Sequence, residues 1–337
     1  MTKDINILAA KHTLDDDGLR ALLTTADSEV VQTLTSAARS LADRTVGRVV
    51  KARGLIEVSN YCRNNCYYCG IRAGNAHIHR YRLSHNDIMQ CCAVGHQLGF
   101  QTFVLQGGED PQHTAEWVEA VVADIRAHYP DTAITLSLGE RPEEDYRRWF
   151  AAGANRYLLR HETATPTHYA QLHPDKMNFE NRISCLHTLK TIGYETGTGM
   201  MVGSPFQTID DIISDLRFME QLRPQMIGIG PFVSHHDTPF ADMPNGSVAL
   251  TLRLISILRL MHPNANIPAT TSLGTLAKDG RLLGVDAGAN VVMPNLSPPD
   301  CRKAYALYDG KICTDLEAAE SRRRLEQQFR NRGYELI

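Results

Sequence analysis

From residue 54 onward the chain alternates short apolar runs, rich in β-branched residues, with longer amphipathic stretches. The runs predict strands over 55–59, 102–106, 133–138, 156–160, 197–202, 226–231, 266–271 and 290–293. Helical patterns fill the intervals at about 84–98, 114–128, 142–152, 179–192, 208–222, 247–262, 279–287 and 299–308. Several runs lack a polar face, as parallel strands buried on both sides do. Ser84-His85-Asn86-Asp87 places a capping residue ahead of one helix, and Gly99, Gly153 and Gly193 stand where helices end. Eight strands alternating with eight helices predict a TIM-type (β/α)8 barrel in the α/β class. An open doubly wound sheet is the alternative, but no G-x-G-x-x-G follows the first strand.

Length alone, 337 residues, would suggest about two domains. Strand counting replaces that with one barrel and helical ends: an N-terminal helical extension over 1–53, the barrel over 54–313, and a C-terminal helix within 314–337. The extension carries an amphipathic stretch at about 27–46. In the tail, Arg322-Arg323-Arg324 reads as one solvated helix face.

Composition narrows the function. Hydrophobic residues at 43% and charged residues at 22% are globular proportions. Lys plus Arg is 35 against 38 Asp plus Glu, a net charge of −3, so no basic excess drives nucleic-acid binding. The opening residues, Met1 to Asn6, lack a signal-peptide layout, and no apolar stretch is long enough to span a bilayer. A cytoplasmic protein without membrane or nucleic-acid partners is expected.

The eight cysteines are unevenly placed. Cys62, Cys66 and Cys69 fall within eight positions, whereas Cys91, Cys92, Cys185, Cys301 and Cys313 are scattered. A chain of this length needs no disulfide staples, so a tight cluster points to metal or redox chemistry. Cys62-x-x-x-Cys66-x-x-Cys69 follows the first predicted strand, at the barrel face that carries activity. Three soft thiolates suit a cubane iron–sulfur cluster and leave one iron free for a small chelating molecule. A zinc site is the competing reading and would need a fourth ligand, such as His77 or His79. After the second strand, Gly107-Gly108-Glu109-Asp110 offers close backbone approach and a carboxylate for an ammonium group.

With Tyr68 before the last cysteine, this C-x3-C-x2-C motif resembles that of the radical S-adenosylmethionine enzymes. The resemblance implies one three-cysteine-ligated 4Fe–4S cluster whose open iron chelates S-adenosylmethionine, and reductive cleavage of that molecule to a 5′-deoxyadenosyl radical. Arg63-Asn64-Asn65, Cys69-Gly70-Ile71-Arg72 and Arg80-Tyr81-Arg82 resemble the biotin-synthase-related group. Leu105 to Pro111, Arg156 to Ala164, Phe179 to Arg182, Ile227 to Phe232, His236 to Pro239, Ile267 to Thr271, Met293 to Asn295 and Gly310 to Cys313 are similar to the HydE family of FeFe-hydrogenase maturases. That family implies assembly of the hydrogenase di-iron subcluster from a cysteine-bound iron carbonyl cyanide precursor. It also implies partner maturation enzymes, a scaffold and an electron donor.

By the same resemblance, Tyr68, Gly107, Gly108, Glu109, Glu162, Arg182 and Met226 are expected at the cofactor. Guanidinium matches carboxylate bidentately, and a glutamate suits hydroxyl or ammonium donors. Gln106, Arg156, Arg160, Thr270, Thr271 and Tyr305 are expected at the substrate. Arg156 and Arg160 share one face of their strand, where an internal salt bridge with Glu162 is the competing reading. His236 and Asp237 are adjacent and precede Thr238-Pro239, so they read as loop-stabilising rather than as a joint metal site. His161 either lines the site or bonds backbone.

Some HydE enzymes carry a second cluster on three C-terminal cysteines. No cysteine follows Cys313 here, so a second cubane is not expected, and Cys91, Cys92, Cys185, Cys301 and Cys313 read as ordinary thiols. Two alternatives stand beside the maturase: a methylornithine-synthase-like carbon-skeleton mutase, because Cys62-Arg63-Asn64-Asn65-Cys66 resembles that group too, and a non-catalytic iron–sulfur carrier.

Overall fold

The structure is a computed structural model that describes residues 1–312 and 317–337. Its wall is made of β1 (Val49–Ala52), β2 (Gly54–Ser59), β3 (Thr102–Gly107), β4 (Ala133–Ser137), β5 (Arg156–Leu158), β6 (Glu195–Thr198), β7 (Met201–Val202), β8 (Met226–Ile227), β9 (Gly230–Pro231) and β10 (Val291–Val292). β2 to β6 pair in chain order and β8 follows β6, every ladder parallel. Parallel bridges from Met226 to Asn266, Pro268 to Val291 and Leu55 to Asn295, with the β1–β10 ladder, close the ring. All six residues of β2 are buried, as a wall covered on both faces requires.

Helices His85–Gln97, Ala115–His128, Glu143–Ala152, Phe179–Ile192, Ile209–Leu222, Val248–Met261 and Gly280–Asp286 run between the strands, within one residue of their predicted bounds. Local chemistry explains the agreement. Ser84 accepts from the Asp87 N–H at 3.2 Å while Asp87 answers the Ser84 N–H at 2.9 Å, a capping box whose Ser is worth about 1 kcal/mol. At the other end of two helices, Gly153 and Gly193 hold φ of 118° and 111°, open to glycine without penalty.

Three expectations need correction. The extension's helices, Thr2–Lys11, Asp16–Thr24 and Ser28–Thr45, stop at Thr45, and 49–52 joins the wall as β1 instead of staying helical. The strand expected over 266–271 shrinks to bridges at Asn266 and Pro268. Pro268 has no N–H to give a ladder, and Thr270 opens the short helix Thr271–Leu276. Helix Pro299–Ala304 likewise ends well short of 308. In the tail, helix Ala318–Arg330 leads to β11 (Glu335–Leu336), which pairs with β1. Among the described residues no helix is long and apolar enough to cross a membrane.

Candidate active site

A cavity of about 290 Å³ opens where the strands end. The loop after β2 supplies Cys62, Cys66, Tyr68 and Cys69; β3 and its following turn supply Gln106, Gly107, Gly108 and Glu109. The chain after β5 adds Arg160 and Glu162, helix Phe179–Ile192 adds Arg182, and the segment after Ala304 adds Tyr305, Leu307 and Tyr308. All three clustered cysteines, six of the seven residues expected at the cofactor, and Gln106, Arg160 and Tyr305 therefore share one chamber.

The cysteine loop is pinned from within. Arg80 donates to the carbonyl oxygens of Asn60, Ile71 (2.8 Å), Arg72 (2.6 Å) and Asn75 (3.1 Å). Asn60 bonds the carbonyls of His79 and Ala304, both at 2.7 Å. The loop's Tyr67 and Tyr68, with Met243, pack against a small buried apolar cluster of Leu172, Met201, Phe232 and Phe240.

The three sulfurs fit an iron–sulfur cluster better than a single ion. Among the described residues, only His235, His236 and Asp309 bring three ligand atoms within 4.8 Å of one another, so the cysteine sulfurs stand wider than one zinc requires. Burial, then the neighbouring thiols, push the Cys66 thiol well up, and the same causes raise Cys69 to about 12. A coordinated metal cation reverses that bias, because it binds the thiolate and displaces its proton. The His235 and His236 rings stack at 4.5 Å and 15°, so their in-plane lone pairs do not converge. His236 bonds Asp309 at 2.7 Å and Asp237 meets His77 at 2.9 Å, the loop-holding role expected.

Gly108 explains the Gly-Gly-Glu turn. A Cβ there would lie 2.2 Å from the Tyr61 oxygen and 2.7 Å from the Cys62 Cβ, so only glycine lets the turn touch the cysteine loop. Arg63 N–H then bonds the Glu109 carbonyl at 3.0 Å. The Glu109 carboxylate accepts from Arg63 at 3.0 Å and from the Glu140 N–H at 2.8 Å. Behind it, buried Asp110 takes both Arg82 bonds (2.6 and 3.0 Å) and the Ser59 hydroxyl at 2.6 Å. Burial raises the Asp110 pKa, but Arg82, Ser59 and the Gln112 N–H outweigh it and hold the carboxyl below its ordinary value. Gly108→Ala is expected to displace the cysteine loop, and iron per chain after anaerobic reconstitution should drop several-fold; full iron content would contradict this contact.

On the opposite wall Arg160 bonds Glu162 at 2.6 Å, and Arg182 pairs with Glu140 at 2.7 Å while donating to the Arg160 carbonyl at 3.3 Å. The competing salt-bridge reading of Arg160 with Glu162 is thus present, inside the cavity. Glu162 holds φ of 66°, a conformation costing a non-glycine residue roughly 1–2 kcal/mol. Tyr68 donates to His173 Nε2 at 3.1 Å, because His173 Nδ1 is committed to the Tyr169 carbonyl at 2.9 Å. Burial lowers the His173 pKa to about 4, keeping the acceptor neutral at pH 7. Gln106 donates to the Tyr305 hydroxyl at 3.3 Å.

Arg156 and Met226 are not in this chamber. Each opens its strand, so each lies at the opposite mouth of the barrel: Arg156 pairs with Glu195 at 2.6 Å, and Met226 accepts from Arg53 at 3.0 Å. Arg160 lies two residues beyond the end of β5, so four residues of extended chain, about 13 Å, separate it from Arg156 at the strand's start. Thr270 and Thr271 stand just behind the lining, which is Ser272; Thr270 meets Ser272 at 3.1 Å and Thr271 accepts from Arg281 at 3.4 Å. His161 is fully buried and bonds Asp215 and Thr198 outside the cavity. Cys91, Cys92, Cys185 and Cys301 carry free thiols that are not among the cavity's lining residues, and Cys313 lies outside the described residues. Sequence reasoning missed Arg80 as the loop's staple, and Ser272, Leu307 and Tyr308 as lining; Arg80 alone carried a signal, as a cation close behind the cysteines.

Residues 56–219 match the model of the Radical SAM superfamily. The [FeFe] hydrogenase maturase subunit HydE of Thermotoga maritima is 46% identical over 295 residues, 88% of this chain and 84% of that protein. The 3-methylornithine synthase of Methanosarcina barkeri is 32% identical over 88% of this chain and 83% of its own length. A crystal structure of methylornithine synthase (PylB) superposes with a TM-score of 0.87 at 28% identity, over 99% of this chain and 97% of that one.

Proposed function

Because this chain belongs to the radical S-adenosylmethionine superfamily, we propose that its barrel is a HydE-type enzyme of FeFe-hydrogenase maturation. The observation that carries the reading is 46% identity to a HydE across nearly the whole chain, together with a complete cysteine and Gly-Gly-Glu site. A 4Fe–4S cluster on Cys62, Cys66 and Cys69, with S-adenosylmethionine, supplies a 5′-deoxyadenosyl radical when reduced.

The residues around it bind, orient and shield. Glu109 receives the methionyl ammonium, its carboxylate already held by Arg63 and the Glu140 N–H. Arg182 and Glu162 face the same chamber and offer a guanidinium for the carboxylate and a carboxylate for hydroxyls. Arg80 adds positive charge close to Cys62 and Cys69, favouring an anionic cluster. Deeper in, Gln106, Tyr305, Arg160 and Ser272 present hydrogen-bond donors to an anionic organometallic substrate, and Leu159, Phe232 and Leu307 exclude water that would quench a radical. Its partners are then the other maturation enzymes, their scaffold and a one-electron donor. A cytoplasmic setting keeps the three thiols reduced until they are metallated.

An in vitro maturation of apo-hydrogenase tests this: hydrogen evolution should depend on adding this protein, and no dependence would sink the reading. The 32% identity to methylornithine synthase favours the mutase as second reading, and a rearranged amino acid formed from lysine would select it.

A further inference from the structure

Glu162 is not a glycine, yet its backbone is left-handed, so something outside the cavity must hold it there. We infer that Asp215, on the outer helix Ile209–Leu222, is the positioning residue that aims Glu162 into the cavity through His161; the inference rests on the reading that Glu162 contacts S-adenosylmethionine.

Asp215 grips the chain on both sides of Glu162. One carboxylate oxygen accepts from His161 Nε2 at 3.2 Å and from the Ala164 N–H at 2.5 Å. Thr198 clamps His161 from the opposite side: its hydroxyl oxygen accepts from the His161 N–H at 3.3 Å and lies 2.9 Å from Nδ1. That hydroxyl therefore donates to Nδ1, which leaves the ring proton on Nε2 for Asp215. Glu162 itself is tied by its N–H to the Gly199 carbonyl at 3.1 Å. His161 and Asp215 are both fully buried, so water does not compete for these bonds. The second Asp215 oxygen has no hydrogen-bond partner, an expensive state for a buried carboxylate that a purely structural role does not require. Asp215 does not line the cavity, and its hydrogen bonds reach toward the site through His161 and Ala164, the residues that flank Glu162 and Thr163.

The test uses reconstituted holoenzyme and four variants: Asp215→Ala, Asp215→Asn, Glu162→Ala and the Asp215→Ala/Glu162→Ala double. Asp215→Ala should keep its iron content and raise the KM for S-adenosylmethionine about tenfold with a smaller change in kcat. Asp215→Asn should restore most of that affinity, because its amide oxygen still accepts both bonds. In the Glu162→Ala background, Asp215→Ala should add nothing further to KM. Effects that multiply in the double variant, or a parallel fall of iron content and affinity, would overturn the positioning role. If Glu162→Ala alone leaves KM unchanged, the reading of Glu162 itself fails, and the inference with it. Thr198→Val loosens the same clamp at nearly constant shape; should Asp215→Ala fail to accumulate, an unchanged KM in Thr198→Val overturns the proposal.

Discussion

Cys66→Ala should abolish the visible iron–sulfur absorbance and reduce 5′-deoxyadenosine formation to background. The loop offers three sulfurs, and its other residues on the cavity, Asn64, Tyr68 and Ile71, carry no thiol to replace one. A cubane left with two protein ligands is exposed to solvent and dissociates, so the loss is total rather than graded. Cys62→Ala and Cys69→Ala should behave alike, because Arg80 and Asn60 fix all three on one loop. Cys301→Ala and Cys313→Ala should leave iron and turnover intact. Iron per chain and electron paramagnetic resonance of the reduced proteins read the difference; an unchanged spectrum in Cys66→Ala would remove the cluster from this loop.

Lys311→Ala should be the most destabilising single change outside the cysteines. Glu57, on β2, is 1% exposed; it accepts from Lys311 at 2.5 Å and from Asn295 at 2.7 Å. Removing one partner of a buried ion pair strands the other, at a cost of about 3–5 kcal/mol. In a domain of this size that lowers Tm by about 10 °C. Lys311 also donates to the Tyr305 carbonyl at 2.9 Å, so the same change loosens the segment that closes the cavity and should slow turnover. Burial raises the Glu57 pKa while Lys311 pulls it down. Without the lysine the folded-state pKa rises further above the unfolded value, so the folded chain holds a proton the unfolded chain releases. Stability then falls as pH rises through that pKa, and the variant's deficit shrinks on acidification. Pairing Lys311→Met with Glu57→Gln should recover most of the loss, and thermal melts across pH check both points. A deficit independent of pH would mean the pair is not what holds the segment.

Much of this molecule is visible in its sequence because the signals are local. Helix bounds follow from caps such as Ser84 with Asp87 and stops such as Gly153. The cysteine loop and the Gly-Gly-Glu turn are contiguous motifs placed by the strands before them. What escapes is position along a strand and contact at long range. Alternation puts Arg156 and Arg160 on one face but does not say that the first opens β5 while the second reaches the chamber. Met226 fails for the same reason at β8. Thr270 and Thr271 miss the lining by one or two residues because the chain turns into a helix at Thr271, where a strand's alternation no longer applies. β11 is two residues long and finds β1 only across the whole chain. The pairs that hold the site in place, Glu57 with Lys311 and His161 with Asp215, join residues far apart in sequence, and no periodicity announces them.

Anaerobic reconstitution followed by dithionite and S-adenosylmethionine is the most direct test of the chamber assigned here. The wild-type protein should form 5′-deoxyadenosine, and its reduced-cluster resonance should shift when S-adenosylmethionine is added. A fully reduced cluster that gives neither the shift nor the product would contradict a radical enzyme and leave an iron–sulfur carrier in its place.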